Sequence, residues 1–306
     1  MCGRYASSRS PGDLVLEFEV DENDLEDGAE LKAGTARADG TAGETTSAGP
    51  ATARYNIAPT DTVPVVLTRM VEPESSPTAE TVAPRAVRRL RPLTWGLVPS
   101  WSKDRTGGAR MINARVETLL EKPAYRKAAL TRRCLVPADG WYEWQVSPSE
   151  RDAKGKPRKQ PFFIHPADGT GLAFAGIYEF WRDKALESDD PRAWLVTFAV
   201  ITTAAEPGLD VIHDRMPLVL PADRWGDWLS PQLREQDDVR ALIERPAPGR
   251  FAALPVSTRV NSVRNDGPEL LAPAPEDQLI GVVDPATGEL IGGRPPTGSR
   301  AAEPLF

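Results

Sequence analysis

The strongest constraint on the fold is a series of short apolar segments, dense in β-branched and aromatic residues, that do not alternate with helical segments. Such segments predict strands. They are Val63–Leu67, Cys134–Pro137, Trp141–Trp144, Pro161–Ile164, Leu172–Gly176, Trp194–Thr203 and Pro217–Leu220. The predicted helices are Ser10–Phe18, Ala124–Arg132, Ala222–Leu229 and Gln232–Glu244. We therefore expect an α+β fold, a compact single domain with a mostly antiparallel, barrel-like β core and few flanking helices.

Two segments interrupt this pattern. Residues 25–53 are rich in Gly, Ala, Thr and acidic residues and predict a disordered insertion, because they offer too little apolar surface to offset their ordering entropy. Residues 285–306 are rich in Gly and Pro and predict a flexible tail. We expect one domain over residues 1–284, with the acidic insertion at about 25–53, followed by the tail over residues 285–306.

Several classes of protein are excluded by the same sequence. No apolar run of about 18 residues is present, which excludes a transmembrane helix, and the amino-terminal residues lack the apolar segment of a secretory signal. The two cysteines, Cys2 and Cys134, cannot build a disulfide framework, which fits a reducing cytoplasm. Two cysteines with two histidines also argue against a structural zinc site. We expect no metal, no cofactor and no membrane partner.

The net charge of −7 conceals an uneven distribution. Eight acidic residues and no Lys or Arg lie between Glu17 and Glu30, so the rest of the chain carries about +1. Basic residues cluster in Arg85–Arg91, Arg126–Arg133 and Arg151–Lys159. Such clusters fit a polyanionic partner, although the plainer interpretation is a solvated surface.

The residue with the most distinctive chemistry is Cys2. Removal of Met1 would place its α-amine and its thiol on adjacent carbons, with ordinary pKa values of about 7.7–8.0 and 8.5. This aminothiol can condense with an aldehyde to give a thiazolidine, or its thiolate can attack an acyl carbon with the amine as base. The alternative is an incidental buried cysteine.

The segment from Cys134 to Trp144 contains the second candidate. Asp139 and Gly140 stand between two apolar runs and predict a hairpin turn. Strand alternation would put Trp141 and Glu143 on one face, where a carboxylate beside aromatic rings has a raised pKa suited to general acid–base chemistry. A solvent-facing Glu143 is the alternative, and Cys134 is expected in the core.

A third candidate is His213, in a loop between two predicted strands. It could move protons near neutral pH, or it could be a structural histidine bonded to Asp214. Of the remaining candidates, Asn113 could orient a substrate or the amino terminus, and Arg115 could bind phosphate. Trp101, after a proline, could stack on bases.

In order along the chain, MCGRYA, YNIAP, WGLVPSW, INARVET, CLVPADGWYEW, PFFI and VIHDRMPLVL resemble the motifs of the SOS response associated peptidase (SRAP) family. The later segment from Val256 to Asn265 is similar to the family's carboxy-terminal part. The resemblance covers most of the chain from Cys2 to about Pro273. It implies a protein that senses abasic sites in single-stranded DNA. We expect this protein to be a monomer in the cytoplasm, associated with the nucleoid at damaged DNA.

The resemblance also implies a chemistry and a set of residues. The family links itself to the lesion as a thiazolidine through the amino-terminal cysteine, with associated autopeptidase, lyase and cross-link reversal activities. Carried over by motif, the catalytic residues are Cys2, Asn113, Glu143 and His213. The residues that would contact DNA are Arg4, Arg115, Trp101, Trp144 and Pro59.

The acidic insertion and the tail depart from the family's pattern. An acidic arm beside a DNA-binding groove could compete with phosphates for it.

Two other functions remain open from the sequence alone. One is a non-covalent module that binds single-stranded DNA, and the other is an amidotransferase-like hydrolase with an amino-terminal nucleophile, whose glutamine-binding motifs are not found here.

Overall fold

The structure is a computed structural model that describes residues 2–27, 52–72, 83–244 and 249–291. The predicted insertion therefore lies mostly outside the described residues, as do residues 292–306 of the predicted tail.

The described residues form sixteen strands and five α-helices. The strands are β1 (Tyr5–Ser7), β2 (Glu22–Asn23), β3 (Arg54–Ile57), β4 (Thr62–Val71), β5 (Arg85–Trp95), β6 (Asn113–Arg115), β7 (Arg133–Ala138), β8 (Gly140–Arg151), β9 (Pro157–Pro166), β10 (Leu172–Arg182), β11 (Trp194–Ala204), β12 (Arg215–Pro217), β13 (Val219–Leu220), β14 (Phe251–Pro255), β15 (Val282–Val283) and β16 (Leu290–Ile291). The helices are α1 (Pro11–Glu17), α2 (Asp24–Asp27), α3 (Pro123–Thr131), α4 (Trp225–Leu229) and α5 (Gln236–Leu242).

Five strands close into a barrel. Neighbouring strands follow the order β11-β10-β7-β4-β5, and a short parallel pairing of Thr94 with Thr197 and of Trp95 with Phe198 joins β5 back to β11. β6 and β2 also pair in parallel, with β11 and β5, and the other described pairings are antiparallel. A second sheet has the order β14-β9-β8-β1-β3. The predicted α+β class with a mostly antiparallel, barrel-like core is confirmed.

The main core contains side chains from both sheets. Fully buried rings of Tyr5, Trp95, Trp141, Phe174 and Phe198 make edge or stacked contacts there, with centroids 5.3–6.4 Å apart. Burial of each large apolar side chain contributes about 1.5–3 kcal/mol. Cys2 is also part of this core. A second cluster is formed with side chains from α1, α3 and α4.

Local sequence signals explain where two helices begin. Ser10 caps α1, and Asp13 returns a hydrogen bond to the backbone of Ser10, as the Ser-Pro start predicts. The predicted Gln232–Glu244 helix is shorter than expected, because Glu235 caps it and α5 starts only at Gln236.

The predicted hairpin at Asp139 and Gly140 is wrong. β7 pairs with β4 and β10 in the barrel, whereas β8 pairs with β1 and β9 in the second sheet, so both edges of each strand are already taken. The Asp139 carboxylate accepts the Ser8 N–H at 2.7 Å, and the Asp139 N–H donates to the Ala6 carbonyl at 2.8 Å. A Cβ on Gly140 would lie 2.4 Å from the Ile164 carbonyl oxygen, so this glycine allows β8 and β9 to approach each other closely.

The acidic stretch that precedes the insertion lies on the basic strand β5. Asp24 contacts Arg89 at 2.7 Å and Arg91 at 2.8 Å, and Glu22 lies 3.1 Å from Arg89. Leu25 is buried in the core formed with the helices. The arginines of this cluster are therefore largely neutralised within the chain, at the end of β5 remote from Trp95.

The end of the described chain forms a small hairpin. Val282 pairs with Ile291 and Val283 with Leu290, joining β15 to β16. The predicted boundary between domain and tail, after residue 284, falls inside this hairpin.

Candidate active site

The site is built around Cys2, which is fully buried just before β1. Asn113, the first residue of β6, donates a hydrogen bond from Nδ2 to the Cys2 carbonyl oxygen at 2.8 Å. Its Oδ1 is buried and has no hydrogen-bond partner among the described residues. Asn113 therefore fixes the backbone of Cys2 and keeps one acceptor for an N–H group beside it.

Burial governs the protonation of the thiol. It raises the pKa of Cys2 well above the ordinary value, and the charge of Glu143 acts in the same direction. The thiol is therefore protonated at neutral pH, and a thiolate forms only if a nearby group accepts the proton.

Glu143 is suited to accept or hold such a proton. It lies on β8, pairs with Phe162 of β9, and is only 2% exposed. Burial raises the pKa of Glu143 to about 7, and the negative charge of Asp214 contributes in the same direction. A carboxyl group with a pKa near neutrality can donate or accept a proton at physiological pH.

His213 lies in the loop between the 3-10 turn Leu209–Val211 and β12. Its Nδ1 accepts the Arg215 backbone N–H at 3.0 Å and lies 2.9 Å from Asp214 Oδ1. Burial lowers the pKa of His213 below the ordinary value, so the imidazole is neutral at pH 7.

The electrostatic couplings join these residues into one group. Glu143 influences the Cys2 thiol, and Asp214, next to His213, influences Glu143. The structure thus brings Cys2, Asn113, Glu143 and the His213 loop together from four separate parts of the sequence.

The Arg4 side chain is fixed by hydrogen bonds to other residues of the protein. One of its terminal nitrogens donates to Asn56 Oδ1 at 2.8 Å and to the Val260 carbonyl oxygen at 3.0 Å. Asn56 Nδ2 in turn donates to the carbonyl oxygens of Val260, Ser262 and Asn265. Asn56 thus fixes the carboxy-terminal segment beside Arg4. The sequence placed Asn56 within a family motif but assigned it no role.

The other DNA-contact candidates are at least partly exposed. Arg115 is exposed at the end of β6, and Trp101 is 68% exposed. The Trp144 indole is partly buried, and its Nε1 donates to Asn261 Oδ1 at 2.7 Å, which fixes the orientation of the ring. Pro59 is partly buried in the loop after β3.

The loop that carries Trp101 is attached to the segment leading into Asn113. Leu97 donates its N–H to the Met111 carbonyl at 3.1 Å, and Trp181 Nε1 donates to the Ser102 carbonyl at 2.9 Å. These bonds hold the loop at both ends and leave the Trp101 ring in solvent.

Sequence reasoning missed an ion pair that joins two of the motifs. Arg215 contacts both carboxylate oxygens of Glu117, at 2.6 and 3.0 Å, and donates to the Thr202 carbonyl at 2.7 Å. Burial pattern and motif spacing give no signal for a pair separated by 98 residues.

Within the described ranges, no group of three or more His, Cys, Asp or Glu residues is arranged to hold a metal ion. No helix among these residues is long and apolar enough to cross a membrane.

Comparison with known proteins gives several matches. The abasic site processing protein YoqW of Bacillus subtilis is 39% identical over 183 residues, which are 60% of this chain and 76% of that protein. The abasic site processing protein HMCES of Gallus gallus is 36% identical over 245 residues, 72% of this chain and 66% of that protein.

Solved structures resemble the fold as well. A protein from Bacteroides thetaiotaomicron has a TM-score of 0.65 at 21% identity, over 90% of this chain and 100% of that one. A phage-related protein from Bordetella bronchiseptica has a TM-score of 0.51 at 29% identity, over 83% and 94%. The model of the SOS response associated peptidase (SRAP) family matches residues 1–263, so the resemblance in the motifs is confirmed and the chain belongs to this family.

Proposed function

We propose that this protein senses abasic sites in single-stranded DNA and links itself to them through Cys2 once Met1 has been removed. The observation that carries the proposal is the position of Cys2, buried next to Asn113 and coupled to a carboxyl group with a pKa of about 7. Relatives from Bacillus subtilis and Gallus gallus that are named abasic site processing proteins support the choice of lesion.

The chemistry follows from the two groups of an amino-terminal cysteine. The neutral amine adds to the aldehyde carbon of the opened sugar, and one water leaves to give an imine. The thiol sulfur then adds to the same carbon, and the thiol proton ends on the nitrogen. The product is a thiazolidine, a five-membered ring that is more durable than the imine because a second bond holds the carbon.

Each residue near Cys2 has a role in this series of reaction steps. Asn113 holds the backbone of Cys2 in place through its carbonyl oxygen. Glu143 relays a proton to the ring oxygen of the sugar during opening and accepts one from the thiol during ring closure, as its pKa of about 7 permits. His213 assists departure of the hydroxyl group that leaves as water.

The residues at least partly exposed around the site would hold the DNA. Arg115 and Arg4 would contact phosphates, and Trp101, Trp144 and Pro59 would lie against the bases that flank the lesion. A single strand exposes its sugar without the cost of unpairing, which favours single-stranded DNA as the substrate.

Two further activities belong to the same proposal. Cleavage ahead of Cys2 would be an autopeptidase reaction that frees the amine. If the imine does not close the ring, a base can instead remove a proton from the carbon next to the imine carbon, and the electron pair left behind forms a double bond as the neighbouring phosphate departs. This β-elimination would give strand cleavage, a lyase reaction. We also propose that the protein acts as a monomer at damaged DNA in the nucleoid.

The decisive experiment is denaturing gel electrophoresis of the protein with single-stranded DNA that carries one abasic site. Wild type is compared with Cys2→Ala and with Cys134→Ala, a matched control that removes the other fully buried thiol. We expect a retarded band with wild type and Cys134→Ala, and none with Cys2→Ala. Mass spectrometry of the wild type should show loss of Met1.

The alternatives give different results. A non-covalent binding module would retard the DNA in a native gel with both cysteine variants and give no band in the denaturing gel. A hydrolase of the amidotransferase type would release ammonia from glutamine without DNA. Either pattern would overturn the proposal.

A further inference from the structure

The Glu117–Arg215 ion pair connects two parts of the site. Its two hydrogen bonds, of 2.6 and 3.0 Å, have the bidentate geometry that makes arginine–carboxylate pairs strong and directional. Arg215 begins β12, two residues after His213, and Glu117 lies in the 3-10 turn Val116–Thr118 that follows β6. The Arg215 side chain is only 12% exposed, and it also donates to the Thr202 carbonyl at 2.7 Å.

The same arginine determines what one nitrogen of His213 contacts. The Arg215 backbone N–H donates to Nδ1 at 3.0 Å, whereas Asp214 Oδ1 lies 2.9 Å from that nitrogen. A neutral imidazole carries one proton, so Nδ1 either accepts from Arg215 or donates to Asp214. The first arrangement puts the proton on Nε2 and the second puts it on Nδ1.

The two partners of Nδ1 are held very differently. Arg215 is fixed by its pairing with Ala204 of β11 and by the Glu117 contact, whereas the Asp214 carboxylate is 84% exposed. We propose that the Glu117–Arg215 pair is a positioning element that keeps His213 as the Nε2–H tautomer.

This assignment deepens the proposed function and rests on it for its role in the reaction. An imidazole with its proton on Nε2 donates a hydrogen bond from that nitrogen while it stays neutral. His213 would then stabilise the oxygen of the departing hydroxyl group by hydrogen bonding. The proton transfers would fall to Glu143, whose pKa of about 7 suits them.

The chain contains an internal reference for this test. It has two histidines, and His165 has the opposite environment, because its Nδ1 lies 2.9 Å from the Pro166 carbonyl oxygen. A carbonyl oxygen only accepts, so the neutral His165 ring carries its proton on Nδ1. The two rings should therefore show opposite tautomers in one spectrum.

The test is long-range ¹H–¹⁵N NMR of full-length protein labelled in histidine, recorded about two pH units above the ordinary imidazole pKa of about 6.5. We expect His213 to be protonated on Nε2 and His165 on Nδ1. Glu117→Gln, at a half-exposed position, should move His213 towards the Nδ1–H tautomer and leave His165 unchanged. Glu121→Gln, a nearby exposed substitution of the same kind, is the matched control and should change neither ring.

A second variant tests the same ion pair by changing its other partner, Arg215. Arg215→Lys keeps the positive charge but loses the bidentate hydrogen bonding to Glu117. It should therefore shift the His213 tautomer as Glu117→Gln does. The inference is overturned if His213 carries its proton on Nδ1 in the wild type. It is also overturned if neither variant changes the tautomer.

A kinetic measurement tests the role in the reaction. Glu117→Gln should slow cross-link formation about tenfold, as a displaced catalytic group does, without weakening DNA binding. An equal loss of rate and affinity would mean that the pair serves DNA binding, which would overturn the positioning role. If the wild type forms no cross-link at all, the proposed function fails, while the NMR result still decides the tautomer.

Discussion

Asn113 Nδ2 lies 2.8 Å from the carbonyl oxygen of Cys2, and this hydrogen bond joins the start of the chain to the barrel. Asn113 is itself fixed by the pairing of β6 with Val200 of β11. The position of the reacting residue therefore depends on a strand that lies 111 residues away in the sequence.

Asn113→Ala should slow cross-link formation about 10- to 100-fold, because the Cys2 backbone loses its anchor. Stability should fall by only about 1 kcal/mol, the contribution of one hydrogen bond. The rate is read from the time course of the retarded band, and stability from urea unfolding. Asn265→Ala is a suitable control, since its side chain donates one bond of 2.7 Å to the Arg259 carbonyl elsewhere on the chain. Equal rates in the two variants would contradict the anchoring role.

Glu143→Gln should stabilise the fold at alkaline pH and impair the reaction. Burial raises the Glu143 pKa from 4.5 to about 7, so ionisation costs folding free energy as the pH rises through this window. The stability that the protonated carboxyl provides is complete below pH 4.5 and lost above about pH 7. At 1.36 kcal/mol per pKa unit, the wild type should lose about 3 kcal/mol relative to the variant.

The measurement compares urea unfolding of Glu143→Gln and wild type at pH 5 and at pH 8. The variant's advantage should be much larger at pH 8, while its cross-linking rate is lower. A difference in stability that does not depend on pH would show that the Glu143 carboxyl is not held neutral by burial.

Trp101→Ala should weaken binding to single-stranded DNA without harming the fold, because the ring is 68% exposed. Loss of one stacked base costs about 1–3 kcal/mol. Trp194→Ala removes another exposed indole, 52% accessible at the start of β11, and serves as control in a fluorescence anisotropy titration. Similar affinities for both variants would exclude Trp101 from the binding surface.

Deletion of residues 28–51 should change DNA affinity very little. This segment has three acidic and two basic residues, whereas Glu22 and Asp24 before it are paired with arginines of β5. The deletion begins after α2, since Leu25 is buried. We expect an almost unchanged slope of log affinity against log salt concentration. Marked strengthening at low salt would instead support competition between the insertion and DNA phosphates.

Short apolar runs predicted most of the β core, because burial on a sheet selects β-branched and aromatic residues locally. β5 was not predicted, because it is rich in arginine rather than in β-branched and aromatic residues. Its residues Arg88, Arg89 and Arg91 were interpreted as a solvated charge cluster, but Val87 and Leu90 between them are fully buried. The acidic partners of these arginines lie more than 60 positions away, so no local pattern showed the pairing.

The candidate site could be predicted from the sequence only in part. Chemistry alone singled out Cys2, and the family's motifs supplied the roles of Asn113, Glu143 and His213. The raised pKa of Glu143 depends on burial between two strands, and the Arg215 contact with Glu117 depends on how two loops meet. Neither can be derived from spacing along the chain, because both arise from tertiary packing.

The two-residue strand β2 has a consequence for self-association. β5 pairs with β11 only at Thr94 and Trp95, and β2 pairs with β5 further back, at Arg89 and Leu90. Among the strands that the structure describes, only β2 covers this edge of β5, so without β2 the amide and carbonyl groups there would be open to a strand of another molecule. The acidic residues around β2 therefore keep this strand paired with β5, and β2 in turn protects the barrel from aggregation.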